Sequence, residues 1–224
     1  MTQKTYEPEA RASDTRRPRM LRRPFEIIGA NKRAYLAINL MAYGLVVAGF
    51  IVGIVFPDLS RAQAQTQQTD GTADLVTSLL SNPWLFAVVI FAVNIGRLSA
   101  LTIVLPSLVV PFLGLPLFAY WSFMTGVTIA PTTDMAWVAL IPHSLTVVIE
   151  LQDYILLLLG VYLLGRSWLW PRTAGVTTHR RGYLRGLRML GWLALPAVVL
   201  LVIGALYESF SLLYLVHPLS LWLL

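Results

Sequence analysis

A histidine and two carboxylates stand within one apolar stretch, Ile141-Pro142-His143-Ser144-Leu145-Thr146-Val147-Val148-Ile149-Glu150-Leu151-Gln152-Asp153-Tyr154. On a helix, residues three, four and seven apart share a face. His143, Thr146, Glu150 and Asp153 therefore form one polar stripe, with Tyr154 at its edge. A second apolar stretch carries Asn94 and Arg97, three apart, followed by Ser99 and Thr102, and a third ends at Glu208. Groups of these types can pair charges, relay a proton or hold a polar solute. Each costs at least about 2.5–3.5 kcal/mol in a membrane helix, so an ionisable residue there marks a functional site by default. At 1.5 Å per residue, Arg97 and Glu150 fall at roughly the same depth near the bilayer middle. Pairing is how charges at that depth are tolerated, so an Arg97–Glu150 ion pair is expected. The candidate intramembrane cluster is Asn94, Arg97, His143, Thr146, Glu150, Asp153 and Glu208. Asp153 is left to face a lumen or a neighbouring subunit.

Other chemistries lack their residues. There is no cysteine, which removes disulfides, thiolate metal sites and cysteine nucleophiles. No Ser-His-Asp arrangement stands out, and the glycines build no phosphate-binding loop. His143, His217 and Glu208 approach one surface, but there is no HExxH, no histidine pair on one helix and no second carboxylate at ligand spacing. No metal, no cofactor and no catalytic residue are expected, and the chain does not read as an enzyme. Two roles stay open for the polar cluster. It either fixes helix packing or forms a pocket that handles a proton or a substrate.

The elements that must position these groups are membrane helices. Of 224 residues 57% are hydrophobic and only 12% charged, against roughly 25% charged in a soluble domain; mean hydropathy is +0.68. The net charge of +6 does not point to nucleic acid, because the basic residues crowd into 1–33 and 166–188, both flanking apolar spans. Residues 1–24 read as a disordered, basic cytoplasmic tail, and 25–224 as a single transmembrane domain. The spacing predicts a short interfacial helix at Phe25–Ile28 and spans over about 34–56, 84–105, 109–129, 142–165 and 189–207. The apolar run from Ala34 to Phe56 exceeds the 7–15 residues or so of a signal-peptide core and is read as a retained span. Pro106, Pro111, Gly114 and Pro116 place a tight turn between 105 and 112. Pro142 is expected to open a spanning helix as its first residue, leaving 135–141 as a separate outer element. Residues 58–82 read as a polar loop with a short helix over 72–80, and 210–224 as a short membrane-associated helix. In the first span Gly44, Ala48, Gly49 and Gly53 include small residues four apart, for which helix packing is the expected role and self-association the alternative. The fold class is thus all-α, an integral membrane bundle of about five helices. With the N-terminus inside, the basic loop falls in the cytoplasm and 58–82 outside, as the positive-inside rule requires of an inner (plasma) membrane protein. Trp84 and Trp137 then mark the outer interface, Trp168 and Trp170 the inner one.

Several short motifs resemble the stage II sporulation protein M family: Phe91-Ala-Val-Asn94, Pro142-His143 with Glu150 following, Tyr162-Leu-Leu-Gly165-Arg166, Ala205-Leu-Tyr-Glu208-Ser-Phe210, and Asn31-Lys32-Arg33-Ala-Tyr35 ahead of the first span. The resemblance covers roughly residues 25–212. It departs from the family pattern where Ser144 follows the histidine and Glu150 lies seven positions on. It implies a polytopic plasma-membrane protein without catalytic activity that recruits envelope-acting partners. The expected function is a scaffold or accessory subunit of a membrane or cell-envelope complex, with lipid and other membrane or envelope proteins as partners. The alternative is a transporter or channel subunit using a mid-membrane polar pathway.

Overall fold

The computed structural model describes residues 19–69 and 71–224, and every described element is helical. The expected tail over 1–24 lies outside the described residues up to 18. Residues 19–24 instead open helix α1, Arg19–Ala30, which also absorbs the short helix expected at Phe25–Ile28. Asn31 closes it, its Nδ2 donating to the Ile27 carbonyl at 2.9 Å. Helix α2, Lys32–Val55, follows and stops ahead of Pro57. Residue 58–82 is not a loop. Pro57 is the first residue of α3, Pro57–Thr69, and α4 spans Thr72–Leu79. Proline at the first helical position and Asp58 in the first turn both favour a helix start. Ser60, buried, anchors α3 by donating to the Val127 carbonyl at 2.8 Å.

The second long helix, α5, runs Pro83–Val109. Asn82 caps it, its Oδ1 accepting from the Leu85 N–H at 3.1 Å. From Asn94 to Val104 it is wound as a π-helix, and the Leu105 N–H bonds back to the Ala100 carbonyl. The wide stretch lies directly before Pro106, which has no N–H to continue an α-ladder. The turn expected at 105–112 falls at 110–113, so α5 ends four residues later than the sequence suggests. Phe112 adopts φ +68°, a left-handed conformation costly for a bulky residue. Its ring is held between Tyr162 and Trp170, at 5.9 and 6.3 Å, and lies where a side chain at Gly165 would stand.

Helix α6, Gly114–Ile129, has 16 residues. Helix α7, Asp134–Leu169, has 36 and passes unbroken through Pro142, so the expected split at that residue does not exist. Thr133 is the true cap, accepting from the Ala136 N–H at 3.2 Å, and one missing backbone bond inside a long, packed helix does not end it. Helix α8, His179–Tyr214, also has 36 residues. It begins ten residues before the expected 189 because Thr178 supplies a cap, and it carries Glu208 inside the helix rather than at its end. The expected basic loop shrinks to 170–178, and Arg180, Arg181, Arg185 and Arg188 are helical. Helix α9, Val216–Leu223, is the short terminal helix.

Four helices are long and apolar enough to cross a membrane: α2, α5, α7 and α8. The fifth expected span, α6, is about 24 Å long at 1.5 Å per residue, below that measure. It runs parallel to α2 with the backbones in close approach. A side chain at Gly49 would strike the Phe123 carbonyl, and one at Gly126 the Val46 carbonyl. Gly49 and Gly53, four apart, thus pack within the chain, whereas Gly44 faces open space. Helices α7 and α8 form an antiparallel pair, Gly160 against Leu190 and Gly186 against Leu164. The core lies between them: Tyr154, Ile155, Leu158, Leu159 and Leu164 from α7, Leu193 and Leu201 from α8, with Phe118 and Ile103 closing it.

Gly126→Val should separate α2 from α6 and cost about 1–3 kcal/mol as overpacking. Gly44→Val should stay within about 0.5 kcal/mol. Unfolding in mixed detergent micelles measures both, and equal effects would contradict the close approach.

Candidate functional site

Three hydrogen bonds set the frame of the polar cluster. The Asn82 cap fixes where α5 starts, and Ser209 Oγ of α8 donates to the Pro83 carbonyl at 2.5 Å. Trp84 stacks edge-on against Phe210 at 5.2 Å. About three turns further along α5, Asn94 is brought against the middle of α7, and its Nδ2 donates to Glu150 Oε1 at 2.6 Å. Gly204 of α8 opposes Glu150 without a side chain, so the Glu150 stem lies flat on α8. One turn beyond, Glu208 neighbours Glu150, and its Oε1 lies 3.8 Å from His143 Nδ1. Asn94, Glu150, Glu208 and His143 are therefore one cluster, assembled from three helices. It can hold and hand on a proton between adjacent carboxyls and an imidazole.

Arg97 does not join it. The expected Arg97–Glu150 pair is replaced by Asn94–Glu150, and among the described residues Arg97 makes no ion pair. The π-helical winding explains this. In a helix wider than the α form, residues three apart are offset around the axis, so Asn94 reaches Glu150 while Arg97, which lines the same groove, does not. Arg97 is exposed into a groove of about 500 Å³ together with Thr102, Thr125, Thr128 and His143. Trp121 lines this groove, and its ring packs with the buried Phe118 and Tyr154, centroids 5.2–5.6 Å apart.

Asp153 faces neither a lumen nor a neighbouring subunit. It is 1% exposed, and neither carboxyl oxygen has a hydrogen-bond partner. With Ser99 it lines an apolar cavity of about 210 Å³ between α5, α7 and α8. The hydroxyls of Thr146, Tyr154 and Ser99 are likewise buried without partners. His217 sits exposed on α9, and no three His, Asp or Glu side chains among the described residues are grouped to hold a metal.

Sequence reasoning missed a second polar network on the other side of α7. Gln152 accepts from Tyr35 Oη at 2.8 Å and donates to Asn39 Oδ1 at 3.0 Å and Tyr43 Oη at 2.8 Å. Tyr43 Oη also reaches the Val148 carbonyl at 3.3 Å. The signal was available: Tyr35, Asn39 and Tyr43 recur every four residues and so share one face of α2. This network is satisfied and locks α2 to α7. The buried Asp153, Thr146, Tyr154 and Ser99 beside the Asn94–Glu150 cluster are not satisfied, and that contrast identifies this region as the candidate site.

Asn94→Leu leaves Glu150 without its donor and should cost about 1–3 kcal/mol. Asp153→Leu removes two unsatisfied oxygens from an apolar pocket and should leave stability unchanged or raise it. Chemical unfolding of the two variants in micelles should therefore give opposite signs; a large loss from Asp153→Leu would mean that its carboxyl is satisfied after all. Compared with known proteins, the chain matches no protein-family model, no curated protein and no solved structure.

Proposed function

We propose that this chain is a non-enzymatic multi-pass membrane protein that acts as a scaffold or accessory subunit of a membrane or cell-envelope complex. The observation that carries this reading is that the buried polar groups do not continue through the bundle. Below Trp121 and Tyr154, residues 155–161 of α7 are buried and wholly apolar. The polar groups enter the bundle from one end and stop, which suits a receptacle for part of a partner better than a conduit. The motifs shared with stage II sporulation protein M-like proteins support the same role, Asn94 and Glu150 among them being in direct contact.

The orientation we favour puts the N-terminus in the cytoplasm and the chain in the plasma membrane. Arg22, Arg23, Lys32 and Arg33 lie at the same end of the bundle as Arg166, Arg172 and Arg180, while Asp58, Asp74 and Asp134 lie at the other. This is the distribution the positive-inside rule demands. Helices α3 and α4 on the outer side, and the basic end on the inner side, are then the surfaces offered to partners.

A second reading, a transporter or channel subunit, is favoured by Arg97. A cation exposed in a groove whose lining holds no carboxylate is suited to an anionic solute. One experiment separates the two. Proteins co-purifying with the detergent-solubilised chain are identified, and the purified chain is reconstituted to follow decay of a proton or anion gradient. The scaffold reading expects a stoichiometric partner, no flux, and retention of that partner in the Glu150→Gln, Arg97→Leu double variant. If the wild-type chain dissipates a gradient and the double variant does not, while co-purification persists, the scaffold reading fails.

A further inference from the structure

At the basic end, α1 and α8 enclose a cleft of about 690 Å³ whose rim carries Arg23, Arg181, Arg185 and Arg188 against a single carboxylate, Glu26. That carboxylate is already taken by Arg23 at 3.0 Å. Arg181, Arg185 and Arg188, at spacings of four and three, share one face of α8, are exposed, and have no ion-pair partner among the described residues. Like charges at such spacings repel. The first turn of α8 holds no acidic residue to offset them. The sequence therefore gathers three guanidinium groups that nothing among the described residues neutralises.

Apolar side chains share the cleft, Leu184 set between the arginines and Met189 and Trp192 forming the wall beyond them. It marks the level at which α8 passes from a basic segment into its uninterrupted apolar stretch, the level of lipid headgroups. Guanidinium forks bind phosphate oxygens bidentately, and basic pockets between helices at a membrane surface suit anionic headgroups. We infer that the α1–α8 cleft is a binding site for an anionic phospholipid, its phosphate held by Arg181, Arg185 and Arg188 and an acyl chain lying along Leu184, Met189 and Trp192. A soluble phosphate would have no use for that wall. The inference rests on the membrane-spanning reading of the helices and is independent of the scaffold reading.

The test titrates the full chain, in neutral detergent, with phosphatidylglycerol, with phosphatidylcholine of the same acyl chains, and with inorganic phosphate. Native mass spectrometry counts retained lipids, and thermal unfolding reads stabilisation. Phosphatidylglycerol is expected to be retained and to raise the unfolding temperature, and the other two are not. The Arg181→Gln, Arg185→Gln, Arg188→Gln triple variant should weaken retention by about tenfold or more. A control triple away from the cleft, Lys32→Gln, Arg172→Gln, Arg180→Gln, should change it less than about threefold. Leu184→Glu, which sets a carboxylate in the cleft, should also abolish retention and guards against a triple variant that misfolds. Equal loss from the control triple would reduce the effect to diffuse surface charge and overturn the site. Equal stabilisation by inorganic phosphate would assign the arginines to a free anion, and equal retention of phosphatidylcholine would remove the role of charge.

Discussion

A polar group inside an apolar medium has to find its partner within the protein. Helix α7 places Glu150 and Asp153 on one side of its buried middle and Gln152 on the other, and much of the rest of the bundle is arranged around them. Gln152 is met by α2, through Tyr35, Asn39 and Tyr43. Glu150 is met by α5, through Asn94, and flanked by α8, where Gly204 leaves room. Asp153 is met by nothing. Two of the three thus act as fasteners between helices, and the third marks a place the chain leaves unfinished.

Closeness of backbones is the second constraint. Lipid tails are as apolar as leucine, so membrane helices gain little from burying apolar surface against each other and rely on close packing instead. Gly49 and Gly126 let α2 and α6 approach to backbone contact, and Gly160 and Gly186 do the same for α7 and α8. These pairs bracket the polar groups from both sides.

Much of this was legible in the residues. Helical class, the basic and acidic ends, the stripe from His143 to Asp153 and the depth match between α5 and α7 all follow from spacing and charge. Where the reading failed, a local rule met a longer-range one. Pro142 looks like a helix boundary, yet it costs one backbone bond in a helix of 36 residues secured along its length by packing. Residues 58–69 look like loop because they are polar, but Pro57 and the buried Ser60 hydroxyl make them a helix tied to Val127. Arg97 was misplaced for a subtler reason. Its partner was chosen by α-helical geometry, and nothing in Asn94–Val104 announces that the winding there is wider.

The unequal lengths of the helices impose a shape on the surrounding lipid. Helices α7 and α8 are about 54 Å long, well beyond a hydrocarbon core of about 30 Å, whereas α6 is about 24 Å and presents Leu117 and Tyr120 outward. The annulus must therefore thin beside α6 and stand at full height, or meet tilted helices, beside the α7–α8 pair. Each ångström of mismatch costs only a fraction of a kcal/mol, but the asymmetry is built in. The cost of meeting both heights at once is set by the protein's own outline and falls on the side that α6 presents.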